Sequence, residues 1–146
     1  MGVAVTEDDL GRELDDLLRR AAATQRLGVE RALADLGVTP TQCAVLAVVV
    51  ATPGLSNAEV ARIERLTPQT TSLVLANLER KGLVARRPHE THGRILRAEA
   101  TEAGSRMLAE CRARLAGPCR RLAAAAPPDG EREIKAWLAR LAAAEV

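Results

Sequence analysis

The chain has 146 residues, of which 47% are apolar and 27% are charged, and its formal net charge is only +2. That length suits one domain, so residues 1–146 are predicted to form a single domain, and the small net charge excludes a generally polybasic chain. The longest apolar run, residues 43–51, is far shorter than the roughly 20 residues of a membrane span. The first residues lack the basic and apolar regions of a signal peptide, so none is expected.

Two helices are predicted in the first third of the chain. Leucine and alanine recur at steps of three and four residues across 7–36, which indicates one long amphipathic helix that ends at Gly37. The segment Thr39–Gln42 then has a capping threonine, a proline suited to the first helical position and a glutamine at the third. It predicts a second helix that ends near residue 51.

A pair of short helices is predicted next, with a tight connection between them. Ser56–Glu59 has the capping-box pattern of a helix start and predicts a third helix over about 57–64. Thr67 and Pro68 begin a fourth helix, which ends at Gly82. Its core stripe has helical spacing and consists of Thr71, Val74, Leu75 and Leu78. Two helices in this arrangement are typical of a helix-turn-helix.

Two strand-like runs, 83–87 and 95–100, follow the helix pair and flank a tip at residues 89–94. The segment 79–97 contains six basic residues and two acidic ones, and such a local positive stripe indicates a phosphate-binding face. Together with the helix pair, this hairpin predicts a winged helix-turn-helix DNA-binding region over residues 38–100.

The chain is predicted to end with two more helices. The fifth spans about 102–126 and contains Pro118, which should kink it. The sixth spans 131–144, with an apolar stripe that includes Trp137. The predicted fold is therefore mainly α with a small β-hairpin wing (α+β).

Four sequence segments carry a family resemblance: Leu-Thr-Pro-Gln at 66–69, Leu-Glu-Arg-Lys-Gly-Leu-Val at 78–84, the wing arginine Arg94, and Thr-Glu-Ala-Gly at 101–104. In this order and spacing, the chain resembles the MarR family of bacterial transcriptional regulators over nearly its whole length. The resemblance implies a homodimer joined through helices in 7–36 and 101–146. It also implies that the fourth helix enters the major groove of palindromic operator DNA while the wing follows a minor groove, and that a small effector, often phenolic, releases the DNA.

Two positions depart from the pattern of that family. Leu73 stands where the fourth helix usually carries an arginine, and His92 stands where the wing usually carries an aspartate that orients Arg94. A neutral imidazole is a weaker partner for an arginine than a carboxylate is. The departures predict that more of the DNA affinity comes from the wing and the helix ends.

Double-stranded DNA is the predicted partner, contacted by the outer face of the fourth helix and by the wing. Glutamine can pair with adenine, and a leucine can contact a thymine methyl group, while narrow minor grooves attract arginine. Arg94 is the strongest single candidate. The predicted contact residues are Gln69, Thr70, Ser72, Leu73, Asn77, Arg80, Arg86, Arg87, His92 and Arg94.

The sequence leaves two alternative functions open and argues against a zinc site and against catalysis. An apolar Leu73 on the fourth helix leaves open a winged-helix protein that acts mainly by binding another protein. Cys111 and Cys119, near several arginines of the fifth helix, leave open a thiol-based redox regulator. His89 and His92 are too few ligands for a zinc site, and no constellation for catalysis is found. We therefore expect no enzyme activity, cofactor, metal or membrane association, and an odd number of cysteines without CxxC spacing favours the cytoplasm.

Overall fold

The computed structural model describes residues 6–144, so residues 1–5 and 145–146 of the predicted domain lie outside the described part. In chain order the elements are α1 (Glu7–Leu33) with a short 3-10 turn (Ala34–Leu36), α2 (Pro40–Ala51), β1 (Leu55–Ser56), α3 (Asn57–Glu64), α4 (Pro68–Arg80), β2 (Val84–Pro88), β3 (Leu96–Ala100), α5 (Glu102–Ala124) and α6 (Glu131–Ala143). The mainly helical fold with a small sheet is confirmed.

Capping side chains begin the helices where the sequence predicts them. The Thr39 hydroxyl accepts from the backbone N–H of Gln42 at 3.1 Å, and the Ser56 hydroxyl accepts from that of Glu59 at 3.3 Å. Both pairs form complete capping boxes. Each box satisfies N–H groups that have no partner inside the helix. α2 and α3 consequently start at their predicted residues.

The sheet has one strand more than the predicted hairpin. β3 pairs antiparallel with β2 on one side and with the two-residue β1 on the other, where Leu55 lies opposite Ala98. A further bond from the Gly54 N–H to the Ala98 carbonyl, at 2.9 Å, extends this pairing. A strand of two residues is too short to show alternation, so the sequence carries no sign of it.

The core lies between α2, α4, α5 and the sheet. Leu46, Leu75, Leu78 and Val84 are almost fully buried there, and the predicted stripe of α4 is buried along its whole length. Burying this stripe leaves the opposite face of α4 in solvent, which is the face that the sequence assigns to DNA. α5 continues past the buried Pro118 to Ala124.

The terminal helices are much more exposed than the core helices. α6 has no buried residue, and in α1 only Leu33, near its end, is buried. Their leucine stripes still face outward, with Leu17 of α1 51% exposed and Leu141 of α6 46% exposed. Among residues 6–144 no single helix is long and apolar enough to cross a membrane; only α1 with its 3-10 turn and α2, which meet at 80°, pass that test when joined.

Candidate nucleic-acid interface

The connection between α3 and α4 is a tight turn closed by backbone geometry. Arg65 caps α3 in the left-handed conformation, with φ of 51°, and the Leu66 N–H donates to the Ala61 carbonyl at 2.9 Å. Thr67 then caps α4 by accepting from the N–H of Thr70 at 3.1 Å. The turn therefore fixes where the exposed first turns of α4 lie.

The outer face of α4 is polar apart from one large apolar side chain. Gln69, Thr70 and Ser72 are exposed, and Leu73 is 62% exposed. Asn77 is half-buried, and its side-chain oxygen accepts from the Arg80 guanidinium. The predicted contact residues of α4 thus share the face that a DNA groove would meet, and Asn77 and Arg80 are joined at its end.

Asn57 links α3 to α4, although no sequence motif marks it as a contact residue. Its amide nitrogen donates to the Pro68 carbonyl at 3.4 Å, and its amide oxygen accepts from the Ser72 hydroxyl at 3.3 Å. The side chain therefore bridges the start of α3 and the first turns of α4. The only sequence signal of Asn57 is its place just after the capping Ser56.

The base of the wing is held to α4 by an ion pair. The Arg86 guanidinium donates to one carboxylate oxygen of Glu79 from Nε at 2.9 Å and from a terminal nitrogen at 2.6 Å. With its side chain only 24% exposed, Arg86 is the more enclosed partner. On the other face of β2 and β3, Arg87 lies 3.6 Å from Glu99. Arg86 thus ties the base of the wing to the end of α4, and its phosphate contact stays a prediction.

The basic end of α4 also has an internal role. The Lys81 ammonium donates to the Gly37 carbonyl and, at 3.0 Å, to the Gln42 side-chain oxygen. These bonds tie the end of α4 to the start of α2. A positive charge here also stabilises the negative end of the α4 dipole.

The wing tip presents Arg94 to solvent. Arg94 is exposed and, within residues 6–144, lies within salt-bridge distance of no carboxylate. His92 is exposed beside it, and the rings of His89 and His92 are 5.5 Å apart. An arginine without an internal partner keeps its full charge available for a phosphate or a groove.

The wing tip and α4 border the same groove, which has a volume of about 420 Å³. Its lining includes Ser72 of α4 and Arg86, Arg94 and Ile95 of the wing. Two of the predicted contact arginines therefore lie beside the outer face of the helix. This juxtaposition of polar helix face and positive wing is what the winged helix-turn-helix prediction requires.

The cysteines lie in two different environments. Cys43 and Cys111 are buried, whereas Cys119 is exposed. Burial, with the adjacent Cys43 thiol as the second cause, raises the pKa of the Cys111 thiol to about 12. The arginines of α5 thus do not activate Cys111, because a reactive cysteine needs a lowered pKa.

We expect iodoacetamide at pH 8 to alkylate Cys119 much faster than the other two cysteines. Cys111 stays protonated well above that pH, and Cys43 is enclosed with it, while only the thiolate attacks the reagent. Peptide mass spectrometry of timed samples measures the three rates. In the Cys119→Ser variant, labelling should require denaturant; fast labelling of native Cys111 would revive the redox interpretation.

The chain has clear relatives in sequence. It matches the MarR family model over residues 36–95. It is 36% identical over 125 residues to the HTH-type transcriptional repressor Rv2887 of Mycobacterium tuberculosis, an alignment that covers 86% of this chain and 90% of that protein.

Solved structures agree with the sequence match. The Mycobacterium tuberculosis MarR family protein Rv2887 in complex with p-aminosalicylic acid superposes with a TM-score of 0.70 and 34% identity, over 89% of this chain and 98% of that one. A mutant MarR from E. coli complexed with operator DNA superposes with a TM-score of 0.81 over 88% and 93%, at 18% identity. The second likeness concerns the fold alone.

Proposed function

The chain belongs to the MarR family of transcriptional regulators, and we propose that it is a homodimeric, ligand-responsive repressor that binds palindromic operator DNA in the cytoplasm. As a member of that family it is a regulator and not an enzyme. The observation that carries the proposal is the groove where the exposed face of α4 meets the positive wing. In this proposal residues 38–100 bind DNA, and the helices in 7–36 and 101–146 join the two copies.

The proposed DNA contacts divide between base recognition by α4 and minor-groove binding by the wing. Gln69, Ser72 and Leu73 are exposed on the first turns of α4, where a recognition helix contacts base edges. Leucine and glutamine favour thymine methyl groups and adenine edges. Arg94 contributes a free positive charge on the wing, which suits a narrow minor groove. We therefore propose half-sites that contain A·T pairs.

A salt titration on duplex DNA tests this function. A duplex from the promoter of the chain's own gene should bind more tightly than a random duplex of the same length, and the affinity should fall steeply as salt rises. Two half-sites one helical turn apart, with the flanking wings, predict an operator of about 16–20 base pairs. If no duplex were preferred over random DNA, the proposal would fail and the exposed Leu73 would favour a protein partner.

The proposed effector is a small organic carboxylate, and its candidate site is a groove between α1 and α5. The groove has a volume of about 640 Å³ and combines Arg20, Arg31 and Arg121 with leucines such as Leu17 and Leu122. Arginine pairs well with a carboxylate, and the leucines suit an aromatic ring. The similar protein Rv2887 has been crystallised with salicylic acid and with p-aminosalicylic acid.

We expect salicylate to release operator DNA from the wild-type chain. The double variant Arg31→Ala/Arg121→Ala should need at least about tenfold more salicylate for the same release, because charge-assisted hydrogen bonds to the carboxylate are lost. Fluorescence anisotropy of a labelled duplex measures the release. Arg132→Ala is the matched control, since it removes an exposed arginine of α6 outside this groove. If the wild type and both variants released DNA at the same salicylate concentration, the groove between α1 and α5 would be excluded as the effector site.

A further inference from the structure

The tip of the wing is a short loop with two backbone hydrogen bonds across it. The His89 N–H donates to the Ile95 carbonyl at 2.7 Å, and the Ile95 N–H donates to the His92 carbonyl at 2.8 Å. The second bond closes a four-residue turn in which Gly93 and Arg94 are the central residues. The position of Arg94 therefore depends on where the backbone of His92 is held.

The imidazole of His89 holds that backbone. Its Nδ1 accepts from the N–H of Thr91 at 3.0 Å and from the N–H of His92 at 3.2 Å. An asparagine or aspartate at the start of a turn makes the same kind of local bond to the backbone that follows it. His89 is also half-buried, whereas residues 90–95 are all exposed. The side chain is thus the internal support of an otherwise solvent-exposed loop.

The family resemblance implies an aspartate at position 92 that orients the wing arginine. In this chain His89, and not His92, makes the supporting side-chain contact. The side chain of His92 is exposed, and its contribution to the loop is made through its backbone N–H and carbonyl. We propose that His89 is the positioning residue of the wing, which pre-orders the turn so that Arg94 meets the DNA without a further loss of loop entropy. The inference rests on the proposed function.

The contact through Nδ1 requires one particular tautomer of the His89 ring. Nδ1 can accept hydrogen bonds only when it carries no proton, so the ring must be neutral with its proton on Nε2. Asparagine offers an equivalent acceptor, because its Oδ1 lies as many bonds from the backbone as Nδ1 does. Glutamine has the same functional group one carbon farther out. Comparing the asparagine and glutamine variants therefore shows whether the position of the acceptor matters, and not only its presence.

Operator affinity of four variants tests the proposal. His89→Ala should bind the duplex about tenfold more weakly than the wild type, since two local hydrogen bonds are lost. His89→Asn should stay within about twofold of the wild type, and His89→Gln should resemble the alanine variant. Thr91→Ala is the matched control on the same loop: it keeps the backbone N–H that His89 binds and should bind like the wild type.

A double-mutant cycle with Arg94 shows whether His89 acts through that arginine. In an Arg94→Ala background the further change His89→Ala should weaken binding by less than about twofold, because coupled residues give non-additive effects. A general loss of wing structure would instead weaken binding in both backgrounds.

Each outcome of this experiment has a distinct meaning. If wild type fails to prefer operator over random DNA, the proposed function is wrong. If wild type binds but His89→Ala binds equally well, or if asparagine does not restore the loss, the role of His89 is overturned while the proposed function stands. Full additivity with Arg94→Ala also overturns it.

Discussion

Replacing Gly104 by alanine is expected to lower the free energy of unfolding by about 3 kcal/mol, at the upper end of the usual cost of overpacking a core. A Cβ at this position would lie 2.0 Å from the Leu83 carbonyl oxygen and 3.0 Å from the carbonyl carbon. Both atoms belong to the backbone, so no side-chain rotation relieves the contact. The first turn of α5 would have to move away from the start of β2.

That movement breaks other contacts that fix α5 to the wing. The same Leu83 carbonyl accepts from the Thr101 N–H at 3.0 Å, and the Thr101 hydroxyl bonds to the Gly82 carbonyl at 2.6 Å and to the Gly104 N–H at 3.0 Å. For a chain of this size we expect the melting temperature to fall by about 10 °C. Circular dichroism at one fixed protein concentration measures the melting temperature, because the proposed dimerisation would make the value concentration-dependent.

Gly11→Ala is the matched control for this effect. Gly11 lies in the interior of α1, and a Cβ there would meet nothing within 4 Å. Alanine is the better helix former, so this variant should be as stable as the wild type or slightly more stable. If Gly104→Ala also melted within about 2 °C of the wild type, the result would contradict the close packing of α5 against the start of β2.

Periodicity and caps were sufficient to predict the helices of this chain. The stripe Thr71, Val74, Leu75 and Leu78 determines which face of α4 is buried, since residues three and four apart share a helix face. Once that face is buried, the opposite face must be exposed, so the positions of Gln69 and Leu73 followed from the sequence alone.

Contacts between distant elements were not predictable in the same way. Glu79 and Arg86 pair only because β2 returns along the end of α4, and no local pattern specifies that path. From the sequence, His89 can be assessed only as a candidate zinc ligand, because its bonds to Thr91 and His92 depend on loop conformation and ring orientation. The sequence therefore indicated which side chains of the candidate site are exposed, but not the internal bonds that hold it together.

We expect Leu14→Glu to convert the proposed dimer into monomers and to weaken operator binding by at least about 100-fold, because the second half-site contact is no longer intramolecular. Leu10, Leu14 and Leu17 form a stripe on the first half of α1, with exposures of 49%, 39% and 51%. Across residues 7–24 every side chain except Asp16 is exposed. A helix with such a stripe gains most of its stability from packing against a partner.

A second copy of the chain is the proposed partner of this stripe, together with the exposed Trp137, Leu138 and Leu141 of α6. A buried, unpaired glutamate costs several kcal/mol, and the symmetry of a dimer introduces it twice. Sedimentation velocity measures the oligomeric state, and the fluorescence of Trp137, the single tryptophan, reports the change in its surroundings.

Ala23→Glu adds the same charge on the opposite side of α1, since nine residues correspond to two and a half helical turns. Ala23 is exposed, and the new carboxylate would lie one turn from Arg19, where an opposite charge slightly favours the helix. This variant should remain dimeric and bind the operator like the wild type. If Leu14→Glu also remained dimeric at micromolar concentration, the exposed stripe of α1 would not be the subunit interface. DNA affinity lost without any change in the dimer would place the role of Leu14 elsewhere.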